Sequence, residues 1–252
     1  MSTTTQAIQT APPFDPANQG QDVPAAWNQV AAGYDTHVTH SGISLGEVGI
    51  AALELGAGQR FLDVAAGTGA LSIAAAKRGA DVTAIDFAPE MIARLRSRMS
   101  AAGLSNVRAE VMDGTDLRFE DDAFDAAGSQ FGVMLFPDYA RGIRELVRVT
   151  KPGGQVLLIT MGPASQVEFL THFVGAVQRV VPGFKGLPTD PPPLPLRLAE
   201  PDRIRDALAA AGLRDIQVER TTYSVEHPSA KHLWDWVANS NPIGAKLAAD
   251  AD

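Results

Sequence analysis

The sequence predicts a doubly wound α/β domain built around a mostly parallel sheet. Strand-like and helix-like segments alternate from residue 61 to residue 159, the rhythm of parallel strands joined by helical crossovers. One stretch, Phe61-Leu-Asp-Val-Ala-Ala-Gly-Thr-Gly-Ala-Leu-Ser72, runs from a strand through a turn of small residues into a helical pattern. The 252 residues are 45% apolar, enough for one large core.

The elements follow in order. Pro24 to Asp35 reads as a short helix ended by Gly33, with Trp27, Val30 and Ala31 at i, i+3 and i+4 as its buried stripe. Residues 43–56 form a second helix, closed by Gly56 and Gly58. Strand 61–65 precedes helix 69–79, and strand 81–86 precedes helix 89–102, with Pro89 in its first turn and Gly103 as its stop. Strands 106–111 and 124–129 come next, then helix 138–149 and the turn Lys151-Pro-Gly-Gly154. Val156-Leu-Leu-Ile159 reads as the most buried strand. Beyond it the rhythm breaks. An apolar helix at 165–181 leads into Pro182–Pro195, too rich in proline for a regular element. A helix at 201–211, a strand within 214–226 and a helix at 229–239 complete the reading. The expected organisation is a disordered tail over 1–22 and one domain over 23–252, with a helical and proline-rich lid at about 163–198.

Composition narrows the function. A net charge of −8, from 21 basic and 29 acidic residues, disfavours nucleic acid and anionic membranes as partners. Arg94, Arg96 and Arg98 form the densest basic group, and the expectation for them is a solvated helix face. The chain contains no cysteine, which excludes disulfides, thiolate metal sites and cysteine nucleophiles. The first 21 residues lack the basic start and apolar core of a secretory signal, and no apolar run approaches membrane-spanning length. A cytoplasmic protein, with a homodimer as one option, is the expectation.

The chemistry concentrates at the strand-to-helix turn. Gly67 and Gly69 permit a sharp turn and a close approach of ligand to backbone, and the helix start behind them presents unpaired N–H groups. Asp63 stands at the end of the first strand and Asp86 at the end of the next, where open α/β sheets place their ligands. A carboxylate in the second position accepts hydrogen bonds from ribose hydroxyls; Asp86 also suits a plain helix cap before Pro89. Dinucleotide enzymes share such turns, spaced G-x-G-x-x-G, but here Ser72 stands at the third glycine.

Five motifs in register resemble one family. Leu62-Asp-Val-Ala-Ala-Gly-Thr-Gly69, Ala84-Ile-Asp-Phe-Ala-Pro-Glu-Met91, Met112-Asp-Gly114, Phe124-Asp-Ala-Ala-Gly-Ser-Gln-Phe-Gly-Val133 and Arg148-Val-Thr-Lys-Pro-Gly-Gly154 look like those of class I S-adenosylmethionine-dependent methyltransferases. The resemblance is nearest to the group that includes the ubiquinone and menaquinone C-methyltransferases, and it runs from about Trp27 to Val218. It implies a Rossmann-like methyltransferase fold with N-terminal helices, and S-adenosyl-L-methionine as cofactor. By the same resemblance, Asp63, Ala65, Gly67 and Gly69 hold the methionine part of the cofactor and Asp86 takes the ribose. Phe87 and Met91 pack on the adenine, whose amine donates to Asp113, with Gly114 beside it. Ser129, Gln130 and Phe131 lie next to the sulfonium and substrate, and Tyr34 belongs to a helix that closes over the cofactor. Ala65 departs from the glycine of many members. The family's sixth strand and antiparallel seventh are also not apparent. Only helix-like sequence follows Asn241-Pro242, so residues 221–227 must supply the seventh strand, or the chain stops short of it.

A sulfonium methyl is already activated, so alignment and exclusion of water supply most of the catalysis, up to roughly 7–11 kcal/mol. A base is needed only when the acceptor must lose a proton. His172, between Phe169 and Phe173 on the lid helix, is the first choice for one, with Gln130 as the other catalytic candidate; a half-exposed helix histidine is the plainer reading of His172. His37 and His40 come second, and no further ligand joins them, so no metal is expected. Phe131, Phe169, Phe173 and Trp234 are expected to line an apolar pocket for a small aromatic, phenolic or quinone-like acceptor. Trp234 and Trp236 cannot share a helix face; Leu233, Trp236 and Val237 form the core stripe, which turns Trp234 to the lid or a partner. The competing readings are an NAD-dependent oxidoreductase and a non-catalytic S-adenosylmethionine-binding protein.

Overall fold

The computed structural model describes residues 23–180 and 183–249; the expected tail lies outside them. The chain opens with helices α1 (Pro24–His37) and α2 (Thr39–Ala51). Then follow β1 (Arg60–Val64), α3 (Ala70–Lys77), β2 (Asp81–Asp86), α4 (Pro89–Ala101), β3 (Val107–Val111) and β4 (Phe124–Gln130). A 3₁₀ turn, Val133–Leu135, leads to α5 (Tyr139–Val149) and β5 (Thr150–Ile159). The C-terminal part holds α6 (Glu168–Val180), α7 (Pro201–Ala210), α8 (Ala230–Ser240) and α9 (Pro242–Ala249).

The strands form one sheet in the order β3-β2-β1-β4-β5, and every pair is parallel. The order reverses between β1 and β4, which opens a crevice at their carboxyl ends. Side-chain alternation decides what faces where. Leu62 and Val64 join Ile85, Ile143, Leu146 and Val149 in the core under α5 and α7. Phe61 points the other way, into a core with Ile50, Leu71, Ala75 and Val82 under α2 and α3. Asp63 shares the side of Phe61 and therefore meets α3. Asp138 caps α5 by accepting from the Arg141 amide at 2.9 Å, a contact worth about 1 kcal/mol.

Several expectations are corrected. Gly33 does not end α1: the helix runs through it, and a Cβ there would sit 2.0 Å from the Asn239 carbonyl oxygen of α8. The glycine serves a helix crossing rather than a stop. Residues 150–155 belong to β5, which slips register against β4 between Phe124 and Ala126, with Gly153 at φ +79°. The stretch 156–159 is half-buried, because β5 is the edge of the sheet among the described residues. The expected strand within 214–226 does not form, and 221–227 supply no seventh strand. Apolar alternation makes a strand only when a neighbour completes its hydrogen bonds. Here Tyr223 and Val225 stay exposed while the Tyr223 hydroxyl donates to the Ser41 carbonyl at 2.6 Å. The arginines of α4 are only in part a solvated face, for Arg96 is exposed while Arg94 and Arg98 are half-buried. Arg96 donates to the Ala109 carbonyl, and Arg98 pairs with Asp35.

Candidate active site

Both predicted carboxylates stand at the sheet's carboxyl end and are buried. Asp63 is the last residue but one of β1, beside Gly128 of β4 and Ala84 of β2. Its Oδ2 accepts from the Ser72 hydroxyl at 2.6 Å, while its Oδ1 is buried without a partner. Burial pushes its pKa up to about 7, the Ser72 hydrogen bonds pull it down, and the nearby Asp86 adds to the rise. A buried acceptor of this kind calls for a donor, and a cationic donor best of all.

Asp86 closes the other side. Its Oδ1 accepts from the Ala88 amide and its Oδ2 from the Gly67 amide, both at 2.9 Å. The same carboxylate therefore braces the residue that leads into α4 and pins the glycine turn. Burial raises its pKa to about 6 against those two bonds. Each carboxylate oxygen keeps lone-pair capacity for a ligand hydroxyl.

The turn between them is left-handed at Gly67 and Gly69, with φ of +55° and +95°. A Cβ on Gly69 would lie 2.8 Å from Leu95 of α4, so the turn also sits tight on its neighbour. Ala65 adopts φ +55° and Phe131 φ +57°, left-handed conformations that side chains adopt at a cost of about 1–3 kcal/mol and that cluster at functional sites.

Tyr34 comes down from α1 on to this turn. A Cβ on Gly67 would be 3.7 Å from its ring. Burial first, then the charges of Asp86 and Asp63, raise its pKa to about 12, so the phenol stays protonated. Tyr34 packs with Trp27 and Phe87 around a small core of Ala31, Ala88 and Met91. The structure thus brings together Tyr34, Asp63, Ala65, Gly67, Gly69, Asp86, Phe87 and Met91.

The remaining predicted residues divide. Asp113 is exposed and its Oδ1 accepts from both the amide and the hydroxyl of Thr115. Gly114 is packed against Phe136 and Val64, where a Cβ would come within 2.7 Å of either. Ser129 accepts from the Val133 amide and so shapes the turn after β4. Gln130 donates to the Gly42 carbonyl of α2 at 2.9 Å, leaving its own buried Oε1 without a partner.

Phe169 and Phe173 line an apolar cavity of ≈ 130 Å³ with Met161, Phe184, Leu187 and Ile243. The Met161 amide donates to the Met134 sulfur, which ties this cavity to the turn after Gln130. Phe131 and Trp234 are not in its lining. Trp234 is 42% exposed, and it is Trp236 that meets α6, edge-on to Phe169 at 5.2 Å. His172 is exposed and outside the cavity lining. His37 faces His232 rather than His40, and no metal-binding group of three or more ligands occurs among the described residues. A larger groove of ≈ 450 Å³ between α5 and α7 shares no residue with this site.

The sequence analysis treats Ser72 only as a missing glycine, whereas its hydroxyl holds Asp63. The first-turn position of Ser72, behind a strand-ending acid, was the available signal.

A family described as a methyltransferase domain matches residues 61–154. An uncharacterized protein of Mycobacterium tuberculosis is 42% identical over 116 residues, 46% of this chain, and the match spans 42% of that relative's length. A demethylmenaquinone methyltransferase of Deinococcus radiodurans is 32% identical over 216 residues, covering 81% of this chain and 89% of the relative. Among solved structures, the protein bound to the Trm112 methyltransferase activator of Haloferax volcanii superposes with a TM-score of 0.62 over 86% of this chain and 93% of that one; at 18% identity this speaks to the fold alone. With the motifs in register and the near-complete coverage of the Deinococcus relative, the chain belongs to the S-adenosylmethionine-dependent methyltransferases.

Proposed function

We propose that this chain transfers a methyl group from S-adenosylmethionine to a small, largely apolar acceptor of aromatic, phenolic or quinone-like character. The observation that carries the donor half is the unpaired, buried Oδ1 of Asp63 above a turn of small residues. The ammonium of the cofactor's methionine part supplies the cationic donor that this oxygen lacks, and Asp86 is placed for the ribose. The cofactor brings an electrophilic methyl on a cationic sulfur. The residues bind, orient and exclude water. Asp63 would hold the methionine end of the cofactor and Asp86 its central ribose, Tyr34 would cover it, and Gln130 stands at the neighbouring strand end with an oxygen free to accept.

The acceptor half rests on the cavity under α6. Its lining is aromatic and aliphatic, with Asn241 the one amide, and Asn241 Oδ1 already accepts from the Ile243 amide. Such a lining selects a flat apolar ring and leaves one amide N–H pair to orient it. The name of the Deinococcus relative, a demethylmenaquinone methyltransferase, supports a quinone-like acceptor. Residues 163–198 then act as the roof over this pocket within a single domain. No general base stands in the lining, which fits an acceptor that is already ionised or loses its proton to solvent.

Titration calorimetry with S-adenosylhomocysteine tests the donor half, with micromolar binding expected and absence of binding to the folded chain defeating it. Transfer of radiolabelled methyl to a panel of phenols and quinones tests the acceptor half. Label transferred only to polar amines would overturn it.

A further inference from the structure

Two arginines of α4 converge on Asp35 of α1. Arg98 Nε donates to Asp35 Oδ1 at 3.0 Å, its Nη2 to the Asp35 carbonyl at 3.1 Å and also to Oδ1. Arg94 adds a second cation 3.8 Å from Asp35 Oδ2, and its own Nε is buried without a partner. Asp35 directly follows Tyr34, the residue that covers the turn between the two site carboxylates. The next contact is Thr39. Its hydroxyl reaches the Tyr34 carbonyl at 3.3 Å and Asp35 Oδ1 at 3.5 Å, and it bonds to the hydroxyl of Thr68 inside the Gly67–Gly69 turn. Thr39 and Thr68 are both buried. At the other end of α1, Asn28 accepts from the Glu90 amide of α4 at 3.0 Å.

We propose that Asp35 and Arg98, relayed through Thr39 to Thr68, are positioning residues: an ionic latch that sets Tyr34 over the bound cofactor and so determines cofactor affinity. This rests on the reading of the cradle as the S-adenosylmethionine site. Magnitudes separate the latch from a plain fold contact. The Asp35 and Arg98 side chains are 24% and 29% exposed, so the pair adds little to stability, on the scale of partly exposed ion pairs. Misplacing a covering group by about 1 Å, by contrast, lowers catalytic efficiency by up to about 100-fold.

The test uses the full chain and S-adenosylhomocysteine. Asp35→Asn and Arg98→Met are each expected to weaken binding about tenfold and to raise KM for S-adenosylmethionine by a similar factor. The melting temperature and KM for the acceptor should stay near wild type. Arg98→Lys keeps the charge and loses the fork, so it should recover only part of the affinity. Raising salt from low to high should weaken wild-type binding more than that of Arg98→Met. Thr39→Val breaks the relay at near-constant volume and supplies an independent arm, expected to give the same loss. Glu47→Gln, which removes the exposed Lys77–Glu47 pair, should change nothing. If wild type binds and Asp35→Asn, Arg98→Met and Thr39→Val bind equally well, the latch is wrong. If their affinity falls only in proportion to a fall in melting temperature, the contact is structural and the latch is likewise wrong. If wild type itself fails to bind, the reading of the cradle fails first and takes the latch with it.

Discussion

The proposed donor and acceptor halves of the site are built by opposite means. On the donor side α3 buries six of its eight residues, and the buried carboxylates are held by named hydrogen bonds: Ser72 to Asp63, Gly67 and Ala88 to Asp86. On the acceptor side α6 buries none of its thirteen fully, and its packing is a loose apolar layer against proline-rich chain, α8 and α9. A polar cradle must be set before its ligand arrives, because each misaligned dipole subtracts from binding. An apolar pocket gains from adapting to its ligand, since apolar contact has little directionality. On the proposed reading, the donor half is therefore preorganised and the acceptor half adjustable.

The sharpest way to break this contrast is Asp63→Asn. Removing the charge that lacks a partner should weaken S-adenosylhomocysteine binding about 100-fold, near 3 kcal/mol, the scale for losing one member of a buried charge pair. The same change should raise the melting temperature of the free protein at pH 8. There Asp63, with its pKa lifted to about 7, is a buried carboxylate without a counter-ion. Binding lost with stability gained marks a preorganised site; both lost together would make Asp63 a fold residue.

Trp236→Ala probes the other half. Trp236 stands edge-on to Phe169 at 5.2 Å and to His227 at 5.6 Å, joining α8 to α6. Its loss should destabilise the protein by about 2 kcal/mol, less than a fully buried tryptophan, and raise acceptor KM while leaving cofactor affinity alone. Trp234→Ala, at 42% exposed, should stay within about 0.5 kcal/mol of wild type in urea unfolding. Equal effects of the two substitutions would dissolve the distinction between them.

That pair also shows where the sequence could be read. The helical stripe of Leu233, Trp236 and Val237 was legible from periodicity, but the partner of each tryptophan was not, because α6 and α8 are far apart in the chain. The cradle was legible because it is local: strand, small-residue turn and helix lie within a dozen residues, and Asp86 follows one crossover later. The strand expected within 214–226 failed for the same reason in reverse. Ile216 and Val218 carry a strand's composition, yet pairing depends on a neighbour that no local pattern specifies. Gly33 misled because a glycine that ends a helix and one that admits a crossing helix look alike in sequence; only α8, two hundred residues on, distinguishes them.

A pH titration sharpens the contrast more gently. Asp63 has a folded pKa near 7, above the ordinary carboxylate value, so the free protein carries a proton there below neutrality. A cationic ligand must displace that proton. Affinity for S-adenosylhomocysteine should therefore fall about tenfold per pH unit once well below 7, and calorimetry in buffers of different ionisation enthalpy should detect proton release. Through this same group the free protein gains stability as pH falls from above 7 towards the unfolded value. His227 opposes it: burial and His232 hold its pKa below the usual histidine range, so its contribution to stability is lost as pH falls through that range. Affinity that is flat between pH 6 and 8 would show that Asp63 does not meet the cofactor's ammonium.

The smallest expected effect tests whether the cradle stores strain. Ala65 sits at φ +55°, a conformation that disfavours a side chain by about 1 kcal/mol or more. Ala65→Gly relieves that strain but frees the unfolded chain by about 0.4–1 kcal/mol, so the net gain should be about 0.5 kcal/mol by urea unfolding. A second term decides the sign. A Cβ on Gly132 would lie 2.4 Å from the Cβ of Ala65, so the two positions are closely apposed, and Gly132 itself has an ordinary φ of −95°. Gly132→Ala alone should destabilise by about 1–3 kcal/mol through overpacking, and adding Ala65→Gly should recover much of that loss. A coupling energy above about 0.5 kcal/mol in this cycle would show that the β1 turn and the turn after β4 are shaped by each other. Additive effects would instead place the strain in Ala65 alone, leaving the two strand ends to be positioned by the sheet.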